Sequence, residues 1–185
     1  SSLCLQGEIA ESNLHTMGGS FKIEQRDGEQ YLTEEHLFQR IPSEQDRGRW
    51  KRLPISYTEF HCALVRRSVF DHTGPLDEKV VGTTEHIDFA FQMREVGCRG
   101  LVEPNAVISF LPVDYTLGDL PTCSKRWSDA WLYPTLQYIA KKWAISEDSA
   151  LLRDFSANYL KLRERCLLRQ DQVQIDQPAS PLDFF

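Results

Sequence analysis

The stretch from Glu59 to Ile108 constrains the fold most, because its apolar pattern changes period twice. Glu59 to Val65 is short and largely apolar, as a buried strand would be. Arg66, Arg67 and Ser68 then open one or two helical turns that must stop before Gly74-Pro75, since proline cannot continue a helix and restricts the residue ahead of it. The turn Gly74-Pro75-Leu76-Asp77-Glu78 hands over to Thr83 or Thr84, either of which is suited to cap a helix with its hydroxyl. Glu85 in the first turn is favoured by the helix dipole. That helix has two faces: Glu85, Asp88, Gln92 and Glu95 recur on one side as a solvated acidic stripe, while Ile87, Ala90, Phe91 and Met93 crowd the other. It ends at Gly97, after which Gly100-Leu101-Val102-Glu103 and Ala106 to Leu111 resume strand character. Strand, helix and strand in that order predict an α/β fold with the helix packed on a mixed β-sheet.

Ahead of this unit, Phe21-Lys22-Ile23-Glu24 alternates, Arg26-Asp27-Gly28-Glu29 supplies a tight turn, and Gln30-Tyr31-Leu32-Thr33 resumes the strand, which together predict a β-hairpin. His15-Thr16-Met17-Gly18-Gly19 is a polar, glycine-rich bend, and Ile41 to Pro54 reads as a surface loop carrying Trp50. From about Thr122 the period becomes helical, with Trp127, Trp131, Thr135 and Tyr138 on one flank and Pro134 placed to kink or interrupt the helix. A second helix is expected from about Ser146, where Leu152, Phe155, Tyr159, Leu162 and Cys166 form a narrow seam suited to one partner helix or to a homodimer. The tail from Gln170 lacks periodicity. The organisation expected is therefore an α/β region over residues 1–112, a helical extension over 113–169 and a flexible tail over 170–185.

A chain of 185 residues with 41% hydrophobic content can bury one sizeable core. Its net charge of −6 and pI near 5.4 speak against nucleic acid as a partner, since phosphate neutralisation needs a basic face. No apolar run approaches the roughly 18 residues of a membrane span. The cysteines at 4, 62, 98, 123 and 166 show no Cys-x-x-Cys spacing. They suit reduced, buried thiols, Cys62 among them, and hence a cytoplasmic compartment.

Taken in order, Val65-Arg66-Arg67-Ser68-Val69-Phe70, Gly74-Pro75-Leu76-Asp77-Glu78, Thr84-Glu85-His86-Ile87-Asp88-Phe89 and Val102-Glu103-Pro104-Asn105-Ala106-Val107-Ile108 resemble the acceptor half of a family 2 glycosyltransferase of the GT-A fold. The resemblance runs roughly from Asn13 to Phe110. In that family a strand ends in an Arg-Arg pair, a Gly-x-Φ-Asp-Glu turn follows, a Glu-Asp-x-Asp helix start comes next, and a Pro-x-Ala-x-Val strand closes the segment. The donor half of the family, a Rossmann-like βαβ unit ending in Asp-x-Asp, has no counterpart in this sequence. We therefore expect the chain to be a piece of a longer enzyme, namely the acceptor-binding half of a nucleotide-sugar-dependent transferase. The Mg2+ or Mn2+ implied for the full-length family member belongs to the missing motif, so no cofactor and no metal ligand is assigned here. The alternative is a non-catalytic interaction module that keeps the acceptor-half scaffold.

What the resemblance implies residue by residue is a general base at the acid pair. An inverting transferase needs a group that takes the proton of the acceptor hydroxyl as it attacks the anomeric carbon. His86 stands where the family has the second acid, with Glu85 before it and Asp88 one position beyond Ile87. A histidine of ordinary pKa is a competent base at neutral pH, although a histidine at a helix start also serves in capping or packing. Arg66 and Arg67 are candidates for diphosphate contacts, and His61 and Glu59 for the substrate-binding floor. His86 is expected at the carboxyl edge of the sheet, facing a cleft, with Glu85 beside it and Arg66 or Arg67 in the same wall. Asp77 reads as a turn residue bonding local amides, and Ser109-Phe110 replace the metal-holding histidine that family members often carry. His15, His36 and His72 lack ligand spacing and read as surface or turn residues. His61 and Cys62, adjacent on an expected strand, face opposite ways and cannot pair as base and nucleophile.

Overall fold

The computed structural model describes residues 2–6, 13–37, 50–82, 84–110 and 117–176. Strands β1 (Ser2–Gln6), β2 (Asn13–Thr16), β3 (Gly19–Arg26), β4 (Glu29–His36) and β5 (Pro54–Ile55) precede helices α1 (Arg67–Thr73) and α2 (Glu85–Glu95). Strands β6 (Gly100–Leu101) and β7 (Glu103–Phe110) follow, and then helices α3 (Leu120–Arg126), α4 (Asp129–Lys142) and α5 (Ala150–Asp176). Helices and small sheets both contribute, so the α/β reading holds at that coarse level. The single mixed sheet does not: among the described residues the strands form three small sheets, β2-β1-β7, β3-β4 and β5-β6. The first of these is mixed, β1 running antiparallel to β2 and parallel to β7.

The β3-β4 hairpin follows its turn chemistry. Asp27 and Gly28 have φ of 52° and 86°, the paired left-handed geometry that matches strand twist and that an Asp-Gly pair tolerates. Helix α1 also lies where the sequence puts it, ending at Gly74 with φ 75°. The run from Glu59 to Val65 is not a strand, however. Sheet pairing here stops at Tyr57, which bridges to Gly19, and Leu64 is 97% exposed. A short apolar run has no periodicity to distinguish strand from loop. Cys62 is accordingly exposed rather than buried.

The main core forms where α2, α3, α4 and α5 meet the inward face of the hairpin, with Leu32, Ile87, Phe91, Trp127, Ile139 and Leu151 at its centre. The seam on α5 packs into this core: Leu152 and Tyr159 are buried, and Phe155 and Leu162 lie against it. The side chain of Cys166 lies outside the described residues. A smaller core holds Met17, Trp50, Ile55 and Val102, so Trp50 is buried rather than carried on a surface loop. Pro134 does not end α4. It sits on the exposed face, while the helical run breaks earlier, at Trp127 and Ser128, between α3 and α4. Helix α5 continues to Asp176, through the first residues expected to be tail, because Gln, Arg and Leu sustain a helix once it is nucleated. Residues 177–185 lie outside the described residues.

Two features of α2 depart from the expected amphipathic helix. Thr84 occupies the cap position, but its hydroxyl makes no cap bond; Oγ1 is buried with no hydrogen-bond partner among the described residues. Thr83 lies outside them. Asp88, expected on the solvated stripe, is 2% exposed and forms the centre of a polar network. Its carboxylate accepts from Trp143 Nε1 at 2.7 Å and from Gln92 at 3.0 Å, and it pairs with Lys142 Nζ at 2.8 Å. The same ammonium lies 2.7 Å from Asp77 Oδ2, which also accepts from the Tyr138 hydroxyl at 2.7 Å. Asp77 accepts from the backbone amide of Lys79 at 3.0 Å as its turn position implies, and also joins the turn to α4.

The hairpin is tied to the α4-α5 turn through backbone bonds, Gln30 N to Ala144 O at 2.9 Å and Ser146 N to Gln30 O at 2.8 Å. Ala144, just past the end of α4, takes φ 50°, a left-handed conformation that disfavours Cβ. Ala144→Gly is therefore expected to raise stability by about 0.5 kcal/mol, the relief of Cβ crowding exceeding the extra entropy of the unfolded glycine. A small rise in the thermal midpoint would show it; a fall would mean that the turn gains nothing from the change.

Candidate functional site

Side chains two apart on a strand share a face, and on β4 this aligns Leu32, Glu34 and His36 inward. Leu32 enters the core. Glu34 and His36 continue the same face into a polar region at the end of the hairpin. Gly19 pairs with His36 across the hairpin, and a Cβ there would collide with the Tyr57 hydroxyl and the carbonyl of Glu35. The missing side chain makes room for the Tyr57 ring. The ring is fully buried, and its hydroxyl lies 3.1 Å from His36 Nδ1. Backbone bonds from Gly19 N to Tyr57 O (3.2 Å) and from Ser56 N to Gly19 O (2.8 Å) fix the chain beyond Tyr57, and so bring Glu59 and His61 up to the hairpin.

The result is a row of alternating imidazoles and carboxylates. His61 Nε2 lies 2.9 Å from Glu59 Oε2, and Glu59 Oε1 lies 3.3 Å from His36 Nδ1. Glu34 Oε1 faces His36 Nε2 at 3.8 Å on one side and His86 Nε2 at 3.7 Å on the other. His15, at the end of β2, completes the outer end, its ring centroid 5.0 Å from that of His61. His86 comes from the first turn of α2, where its ring packs against those of Tyr57 and Phe155 at 5.7 and 6.1 Å between centroids.

Charge pairing dominates the electrostatics. Burial alone would push the Glu59 carboxyl up, but the bonds from His36 and His61 and the nearby His86 outweigh it and hold the carboxyl well below its usual range. The bond to Glu59 raises His36, against the opposing effect of burial. Burial lowers His15, and burial with the Glu34 and Glu59 charges raises the Tyr57 hydroxyl. Glu34 Oε1 is buried with no hydrogen-bond partner among the described residues, an acceptor held toward two imidazoles that do not reach it.

Of the residues proposed from sequence, the structure gathers His86, Glu59 and His61. Glu85 sits beside His86 in the chain, half-buried, with Oε2 buried and unbonded among the described residues. Asp88 belongs to the Lys142 network instead. Arg66 and Arg67 are exposed at the start of α1 and make no ion pair with the cluster's carboxylates among the described residues. The His86 side chain is only 11% exposed, and a depression of about 540 Å³ lies elsewhere, at the α4-α5 turn beside Glu29 and Lys141. Of the histidines read as scattered, His72 stays exposed and bonds the Ser68 carbonyl, whereas His15 and His36 join the cluster.

Sequence reading missed Glu34, His36 and His15. A signal was present: Glu34-Glu35-His36 and Glu59-Phe60-His61 both read Glu-x-His, which on strand β4 puts the acid and the imidazole on one face and at Glu59-His61 brings them to 2.9 Å across a turn. Chemically the row can hold an imidazole tautomer against a carboxylate, or gather nitrogen and oxygen ligands. His15, Glu59 and His61 form one group whose ligand atoms all lie within 4.8 Å of one another, and Glu34, His36 and Glu59 form a second. No protein-family model, curated protein or solved structure matches this chain.

Proposed function

We propose that the chain is the acceptor-binding half of a nucleotide-sugar-dependent glycosyltransferase, with the acceptor hydroxyl received at the His86 end of the His-Glu row. The observation that carries this reading is the convergence of His86, the residue at the resemblance's base position, with Glu59 and His61, the residues expected at the substrate-binding floor, on one polar cluster. Nε2 of His86 faces Glu34, so the carboxylate favours the tautomer protonated at Nε2 and leaves Nδ1 to accept the hydroxyl proton. As the acceptor oxygen bonds to the anomeric carbon, the bond to the diphosphate breaks and the hydroxyl proton passes to His86. Glu34, 3.7 Å from Nε2, then stabilises the imidazolium as a nearby charge. Departure of the diphosphate needs electrophilic help. The resemblance assigns that help to Mg2+ or Mn2+ on Asp-x-Asp, which this sequence lacks, and a histidine-rich cluster does not fit the oxygen preference of Mg2+.

Residues 1–185 alone are therefore expected to show no transfer or hydrolysis of a sugar nucleotide in a nucleotide-release assay with Mg2+ or Mn2+. Metal-dependent turnover by this chain would overturn its reading as a half-site. The tight packing of His86 between Tyr57 and Phe155 favours a second reading, an interaction module that keeps the scaffold without the chemistry.

A further inference from the structure

We propose that His15, Glu59 and His61 form a binding site for one divalent transition-metal ion of the zinc class. The proposal goes beyond the glycosyl-transfer reading and does not depend on it. Two imidazoles and a carboxylate are the donor set that such ions take when they keep a position open for water or substrate. Bonds of about 2.0–2.2 Å from one tetrahedral ion place its ligand atoms roughly 3.3–3.5 Å apart. The three donors here already lie within 4.8 Å of one another, with His61 Nε2 and Glu59 Oε2 2.9 Å apart. Small side-chain rotations would bring them onto a common ion.

The surroundings are those of a supported site. Glu59 offers Oε2 on the His61 side while Oε1 faces His36 Nδ1, so His36 orients the carboxylate from behind. Tyr57 stands behind His36, fixed by its close approach to Gly19. The ligands come from two segments, the end of β2 and the turn after Tyr57, which the Gly19 to Tyr57 bonds hold together. His61 is exposed and His15 half-buried, which gives an ion a route from solvent. The neighbouring group of Glu34, His36 and Glu59 shares Glu59 but has a single imidazole, so the outer group is the better match for zinc.

Zn2+ titration of the chelator-stripped chain, with bound metal counted after equilibrium dialysis, tests the proposal. The expected result is saturable binding of about one ion per chain at micromolar Zn2+. His15→Ala and His61→Ala should each weaken it by more than about tenfold, while His36→Ala should weaken it by about 10-fold to 100-fold as an orienting group. His61 is exposed, so His61→Ala leaves the fold intact as judged by circular dichroism. His72→Ala, outside the cluster, and Cys62→Ser, beside it, should bind as the parent does. Absence of saturable binding up to millimolar Zn2+ would overturn the site. So would binding that survives His15→Ala and His61→Ala, or binding that Cys62→Ser abolishes.

Discussion

Lys142→Met is expected to destabilise the protein by about 3 kcal/mol, near the lower end of what removing one partner of a buried ion pair costs. The ammonium serves two carboxylates, Asp77 at 2.7 Å and Asp88 at 2.8 Å, and without it Asp88 keeps only the Trp143 and Gln92 bonds in a site 2% exposed. Methionine preserves most of the packing against Tyr138 and Trp143, so the loss reports charge rather than volume. Urea unfolding should show a lower midpoint at unchanged slope, with the thermal midpoint down by about 6–12 °C. The effect carries a pH signature. Lys142 and its neighbours hold the Asp77 carboxyl down to about 2 from an ordinary 3.8. A depressed carboxyl stabilises the fold above its unfolded pKa and loses that contribution as pH falls through the folded one. The difference between parent and variant should therefore narrow between about pH 4 and pH 2. A difference independent of pH, or below about 1 kcal/mol at neutral pH, would mean that the network is not what anchors α2 to α4.

On the proposed reading, in a full-length enzyme that carries a donor half, His86→Ala is expected to lower kcat by a factor on the order of 10² to 10⁴ while donor binding stays nearly unchanged, as loss of a general base requires. Glu34→Gln should act in the same direction and less strongly, because it removes the charge that stabilises the imidazolium but leaves the base in place. Unchanged turnover with His86→Ala would transfer the role to Glu85, the acid next to it in the chain.

The parts of the fold written in local chemistry were legible from sequence. Asp27-Gly28 dictates a hairpin because both positions need positive φ, and Gly74-Pro75 ends α1 for reasons internal to that dipeptide. Misread features depend on partners far along the chain. Asp88 repeats at helical spacing with Glu85 and Gln92, a pattern that reads as solvated, yet it is buried because Lys142, 54 residues away, arrives to neutralise it. The stretch after Tyr57 has the apolar content of a strand. What it lacks is a pairing edge, and its Glu59 and His61 turn to the hairpin instead. Pro134 suggested a break in the helix but lies on the solvent face of α4, where the helix runs on past it. The candidate site was half visible. His86 followed from motif order and the two Glu-x-His stretches were a local signal, whereas their meeting depends on the bonds and close approach between Gly19 and Tyr57, which no single stretch of sequence displays.

The central claim is that the His-Glu row receives a hydroxylated acceptor. It is tested most directly by following the imidazole resonances of the chain by NMR, with a chelator present, while mono- and oligosaccharides or a nucleoside diphosphate are added. Saturable shifts at His86, His36 and His61 with a sugar, absent at His72 and absent with the nucleoside diphosphate, are the expected result. Imidazoles that ignore every sugar, or that move with the nucleoside diphosphate alone, would contradict it.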